Sequence, residues 1–295
     1  MKLLQYTWKN SMMKIANSKM AVFVILMIVV SRSYVGAIRQ FSVAVDYPSS
    51  WCVFPFAMCS FSYLIMFWFG VIYANSDVPF MQHVNMYHAI RSGRRQWGLG
   101  QIGGIFLRSL IMVLITIFCT ILPLLSKIEW SNEWGKLLRT AATTNALSRY
   151  QSSVVIYYDI FSEYTPLELI LLEILICTLT CTFVGVLMFF LSLYINKIIA
   201  VAGGLALAIS LFPVLNMHPL IRYKLARFVP TVWAELARIA TVDHTYYWLP
   251  SLTYMVLFLL VGIAIMTSFI IYKIRHVEFN WENEDMSVSY THLRA

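Results

Sequence analysis

Apolar residues run in long blocks along this chain, as in Met20 to Val30, Phe54 to Tyr73 and Tyr254 to Tyr272, instead of recurring at a helical or strand period. A soluble protein spaces its apolar positions to make one buried face. Blocks approaching twenty residues match a helix that crosses the hydrocarbon of a bilayer. Six segments qualify, at about 19–38, 54–74, 104–125, 167–194, 198–215 and 251–272. The expected fold class is therefore all-α, a polytopic membrane protein with six transmembrane helices over residues 19–275.

The segments between the blocks define the rest. Residues 3–18 put Leu4, Trp8, Met12 and Ile15 on one helical stripe, with Lys9 and Lys14 pointing elsewhere. This predicts an amphipathic interfacial helix over 1–18, with Trp8 at headgroup depth and the lysines toward anionic lipid. Arg32 lies thirteen residues beyond Lys19, roughly 20 Å along the axis, and can snorkel to the far interface. Asn196 and Lys197 leave room for a tight turn alone, so spans four and five form an antiparallel hairpin. Residues 126–165 mix both charge signs and are too long for a simple connection, and 228–240 carry the pattern of an amphipathic helix. Residues 276–295 form an acidic cytoplasmic tail, whose last seven, SYTHLRA, resemble adapter-derived read-through and are given no role. No cleavable leader is expected, because nineteen residues precede the first apolar run and no convincing cleavage site accompanies it.

Composition supports this reading. Hydrophobic residues make up 60% of the chain and charged residues 12%, against about 25% charged in ordinary soluble domains. The net charge of +8 would suggest nucleic acid in a soluble protein. Here no basic stretch has the length or aromatic interleaving of such a surface, so no nucleic-acid partner is expected. Basic residues beside lipid headgroups set orientation instead. The amino-terminal segment through Lys19 carries four lysines, and a single acid lies between Ser76 and Arg108, which places both termini on the cytoplasmic side of a bacterial cell membrane. The five cysteines fall in or beside spans and read as small apolar fillers; no metal site is assigned to Cys177 and Cys181, one helical turn apart.

Signatures of soluble catalysis are absent from the sequence. It has no G-x-x-x-x-G-K-[ST], no H-E-x-x-H and no G-x-S-x-G, so no catalytic residue is named. Gly98, Gly100, Gly103 and Gly104 open a span instead of following a strand, and read as small residues that permit close helix packing. Ionisable groups at membrane depth mark Glu173, with Glu168 nearer the outer surface, as an intramembrane polar site. Glu173 should face other helices or water, although a shallow residue reaching the interface is the plainer reading. The segment 86–100, MYHAIRSGRRQWGLG, sets Met86, Ile90 and Trp97 beside Arg91, Arg94 and Arg95, a mixed surface suited to a cytoplasmic partner.

The amphipathic start, the six spans and the run DVPFMQHVNMYHAIRSGRRQWGLGQIGG before span three together resemble permease subunits of type-2 ABC transporters. The likeness extends from about Leu3 to Arg275 and is strongest at I-R-S-G-R-R-Q-W, residues 90–97. It implies a membrane half of an ATP-driven exporter, paired with itself or a second permease, with ATP and magnesium bound by a separate cytoplasmic ATPase and no cofactor on this chain. It also implies coupling through the loop between spans two and three, on Tyr87, Arg91, Arg94, Arg95 and Trp97, and short helices dipping into the outer leaflet before span six. An ATP-independent transporter or channel is the main alternative; it would want paired charges deep in the spans or matching broken helices. An intramembrane enzyme would want facing His and carboxylate groups within the spans, and the six histidines fall outside them.

Overall fold

The computed structural model describes residues 17–76, 93–150 and 154–276. In chain order the helices are α1 (Ser18–Val45), α2 (Phe54–Met58), α3 (Phe61–Asn75), α4 (Arg94–Ile121), α5 (Gly135–Thr143), α6 (Ile160–Glu163), α7 (Pro166–Tyr194), α8 (Lys197–Ile209), α9 (Leu211–Asn216), α10 (Pro219–Ala226) and α11 (Leu252–His276). Five stretches are long and apolar enough to cross a membrane: α1, α4 with its continuation to Lys127, α7, the α8–α9 pair, and α11. These make the chain a multi-pass membrane protein.

The block at 54–74 is not one continuous span. Its chain breaks at Cys59 and Ser60, Ser60 having extended backbone (ψ 121°), and leaves α3 with 15 residues, about 22 Å of helix against a hydrocarbon core of about 30 Å. Proline explains two other interruptions. Pro123 turns the end of α4 into a 3-10 helix over Leu122–Lys127, and Pro213 cannot donate to Ile209, which separates α8 from α9. α1 runs seven residues beyond its expected end and stops at Asp46, whose left-handed backbone (φ 54°) lets its N–H close on the carbonyls of Ser42 and Val43. Arg32 therefore lies mid-helix, on the exposed side.

Hydrogen bonds sort the helix termini into two ends. At one, Lys19 Nζ donates to Ser76 Oγ at 2.6 Å, Arg94 Nη1 to the Arg275 carbonyl at 3.4 Å and Tyr194 Oη to the Phe269 carbonyl at 3.1 Å. This terminal end gathers the starts of α1 and α4 with the ends of α3, α7 and α11. At the other, the segments around Asp46–Cys59, Leu122–Tyr164 and Met217–Ser251 interlock into a cap. Lys127 pairs with Asp46, Ser49–Ser50 pair in parallel with Ile128–Glu129, Trp51 Nε1 donates to the Ser131 carbonyl at 3.0 Å, and Trp134 Nε1 to the Tyr164 carbonyl at 2.8 Å. A second two-residue pairing, Val242–Asp243 against Tyr246–Tyr247, is antiparallel. The cap thus adds two minimal strand pairs to an otherwise helical chain.

The segment expected as an amphipathic helix over 228–240 forms two 3-10 turns instead, Pro230–Ala234 and Leu236–Arg238. Val232, Trp233, Ala234, Glu235, Leu236 and Ala237 are fully buried. Trp68 Nε1 of α3 donates to the Thr231 carbonyl at 3.0 Å, and Thr231 Oγ1 to the Leu207 carbonyl of α8 at 2.9 Å. An α-helix leaves its carbonyls bonded within itself. The irregular turns release the Thr231 carbonyl to α3, and the Thr231 hydroxyl reaches α8, which lets the connection plug into the bundle.

Candidate functional site

Two places gather functional side chains, one at each end. At the terminal end Gly93 takes φ 81°, a backbone that side chains avoid, and turns the chain directly into α4. Arg94 and Arg95 occupy the first turn of that helix, are exposed, and have no acidic residue in the turn beside them. Positive charge there opposes the helix dipole, at a local cost of roughly 0.3–1 kcal/mol per charge. A sequence tolerates such a local conflict where function asks for it. Trp97, one turn deeper, is buried against Phe189 of α7, their ring centres 6.3 Å apart and nearly perpendicular, within a cluster that includes Ile274 of α11. Gly98 completes the seat: a Cβ there would meet Ile274 Cδ1 at 2.8 Å. The arginines are therefore displayed, while Trp97 faces inward and keys α4 to α7 and α11. Tyr87 and Arg91 lie outside the described residues.

Roughly 20 Å farther along α4, Arg108 is buried and its Nη2 donates to Asn75 Oδ1 of α3 at 2.5 Å. Sequence reading placed Arg108 at the membrane entrance; burial on the helix–helix face identifies it as a tie between α3 and α4.

The cap itself holds a second constellation. The Arg222 guanidinium carbon lies 3.6 Å from the centre of the Trp248 ring and that of Arg238 4.4 Å from it. Arg222 pairs with Asp243 at 2.7 Å and Arg238 with Glu235 at 3.0 Å. Arg238 Nη2 also donates to the Cys59 carbonyl at 2.7 Å, in the break between α2 and α3, and Trp248 Nε1 to Glu235 Oε2 at 3.1 Å. Hydrogen bonds from Arg222 and then His244 hold the Asp243 carboxyl below the usual carboxylate range. Burial pushes the Glu235 carboxyl up to about 7, although Arg238, Trp248 and Arg222 all act to lower it.

That shift has a pH signature. Folded protein keeps the Glu235 proton to higher pH than the unfolded chain, whose carboxyl titrates near 4.5. The associated stability is complete below about pH 4.5 and is lost as pH rises through about 7. Glu235→Gln should flatten this slope: thermal unfolding in detergent between pH 5 and 8 should show wild type losing stability with rising pH and the variant losing much less. Parallel curves would assign the slope elsewhere.

Glu173 lies on α7, which packs against the turns that flank Glu235. It is fully buried within α7; it accepts a hydrogen bond from Cys177 Sγ at 3.4 Å, and its other oxygen has no partner among the described residues. Glu173 precedes Cys177 by one helical turn, a spacing that reading the cysteines as small apolar fillers passes over. Glu168, by contrast, is spent locally. It accepts from the Thr165 N–H and hydroxyl, both at 2.9 Å, in a reciprocal cap on α7. The T-x-x-E pattern before an apolar run is the sequence signal for that role. All five cysteines are buried and unbridged.

No protein-family model, curated protein or solved structure matches the chain.

Proposed function

We infer that this chain is a membrane permease subunit, moved by a separate cytoplasmic ATPase that docks at the terminal end on the segment containing Arg94 and Arg95. The observation that carries this reading is the joining of an exposed basic surface to a buried anchor at the start of α4. Two exposed arginines, of which Arg94 also donates to the Arg275 carbonyl at the end of α11, lie one turn from a tryptophan buried between two neighbouring helices. An acidic docking surface would suit the two positive charges, and force applied there would pass into α4, α7 and α11 together. The likeness of residues 90–97 to type-2 ABC permeases points the same way. The chain itself hydrolyses nothing in this scheme; ATP and magnesium belong to the partner, and two permease subunits line the path.

The test is copurification with an ABC-type ATPase coexpressed with this chain. Arg94→Glu/Arg95→Glu should lower ATPase recovery at least tenfold while membrane insertion and the size-exclusion profile stay unchanged. Equal recovery would remove the two arginines from the docking surface.

Glu173 favours a second reading, an ATP-independent transporter in which a buried carboxyl beneath the cap carries a proton. That reading requires transport by this chain alone in sealed vesicles, abolished by Glu173→Gln.

A further inference from the structure

Two cavities meet on one side of the cap, and they differ in chemistry. The upper one, about 550 Å³, is lined by Tyr164, Tyr223, Tyr247 and Tyr254 with Arg227. The lower one, about 540 Å³, is lined by Phe183 of α7 and by Leu257, Phe258, Val261, Ile265 and Met266 of α11. Tyr254 belongs to both. Its hydroxyl donates to the Arg227 carbonyl at 3.1 Å, and its ring packs 5.9 Å from that of Phe258, so a single residue joins polar mouth to apolar trench. From Tyr254 to Met266 the trench follows thirteen residues of α11, a rise of about 18 Å, more than half of a hydrocarbon core of about 30 Å.

We propose that this pair of cavities binds an anionic phospholipid, its phosphate headgroup against Arg227 and the tyrosines and one acyl chain along α11 between Phe183 and Met266.

Charge and position select this occupant. Arg227 is exposed, stacks 4.4 Å over Tyr223 and donates to the Tyr223 hydroxyl, while no carboxylate among the described residues pairs with it. The neighbouring arginines of the cap, Arg222 and Arg238, each have one. A planar guanidinium held by an aromatic ring presents its remaining donors to a phosphate. The Tyr164 phenol is a hydroxyl donor at physiological pH, as any tyrosine is, and burial, then Glu163 and Glu168, only raise it further. Tyrosine is suited to this level of a membrane, with ring in the apolar layer and hydroxyl in the headgroups. Below it the open wall of the trench is Leu257, Val261 and Ile265, each more than half exposed, and Gly262 brings α11 against Phe183, where a Cβ would come within 2.7 Å of the ring. The site needs no ATPase and stands apart from the coupling scheme.

Purified full-length protein, delipidated in detergent, would be titrated with phosphatidylglycerol, phosphatidylcholine or inorganic phosphate and read by native mass spectrometry. Wild type should retain phosphatidylglycerol at least tenfold better than phosphatidylcholine. Arg227→Gln should abolish that preference, Arg227→Lys should restore most of it, and Val261→Trp, which fills the trench from its exposed side, should lower retention of both lipids with the size-exclusion profile unchanged. Undiminished preference in Arg227→Gln would overturn the proposal. So would phosphate binding as tight as the lipid, which would mean a soluble-anion site, or Val261→Trp converting a dimer to monomer with lipid binding intact, which would mean a second copy covers the trench.

Discussion

Arg238→Ala should destabilise the protein by about 3 kcal/mol at pH 8.5 and by much less at pH 5.5. The guanidinium is the charge partner of Glu235, which is fully buried, and it also holds the Cys59 carbonyl and lies against Trp248. Removing one member of a buried ion pair leaves the other uncompensated in a poor dielectric, which costs more than the pair ever contributed. Below about pH 7 Glu235 holds its proton, so acid removes the orphaned charge. The difference between the two pH values is limited to the 1.5 units by which pH 8.5 exceeds the folded-state value, about 2 kcal/mol at roughly 1.4 kcal/mol per unit. Thermal unfolding of the detergent-solubilised variant at both pH values measures it. Arg238→Met/Glu235→Leu should recover most of the loss, because both partners are then replaced by packed apolar groups. A loss independent of pH would assign the effect to packing around Trp248.

Trp97→Ala is expected to separate binding from coupling. Trp97 is 1% exposed and fills the space between Phe189 and Ile274; its truncation should cost about 3–5 kcal/mol of local packing, concentrated at the terminal end. Arg94 and Arg95 remain on the surface in this variant. The ATPase should therefore still copurify, while ATP-driven transport in reconstituted vesicles falls at least tenfold. Trp97→Phe should restore much of it, since the edge-to-face contact with Phe189 is kept. Loss of copurification in Trp97→Ala, equal to that of the double arginine variant, would mean that the tryptophan belongs to the docking surface after all.

Hydrophobic blocks made the long helices legible, because each span must satisfy its own backbone inside lipid and so writes its length into the sequence. Pro166 and Thr165 mark the start of α7, and the turn expected at Asn196-Lys197 lies one residue earlier, at Ile195–Asn196, with Asn196 capping α8 and Lys197 opening it. Other features had no periodic signal. The break at Cys59 and Ser60 interrupts an apolar run without a charge or a proline at the break itself. The cap cluster joins Cys59, Tyr157, Arg222, Glu235, Arg238 and Trp248, residues far apart in the chain whose meeting depends on how three connections fold over one another. Residues 228–240 have helical spacing, but tertiary partners for the Thr231 carbonyl and hydroxyl outcompete the regular ladder. At the terminal end the sequence identified the arginines as a surface, while the inward turn of Trp97 depends on α7 and α11 arriving beside α4. Tyr254 and Arg227 were unmarked for a similar reason: the last span and the connection before it form a cavity wall only once assembled.

The shortness of α3 has a consequence for the surrounding membrane. A 15-residue apolar helix covers about 22 Å, so acyl chains beside its lipid-facing residues, such as Met66 and Phe69, must shorten or tilt to avoid water at its cap end. Mismatch of that kind carries an elastic cost of fractions of a kcal/mol per ångström. A leaflet thinned only at this flank accommodates α3 with the least distortion, while the five longer spans hold the bilayer at its ordinary thickness elsewhere.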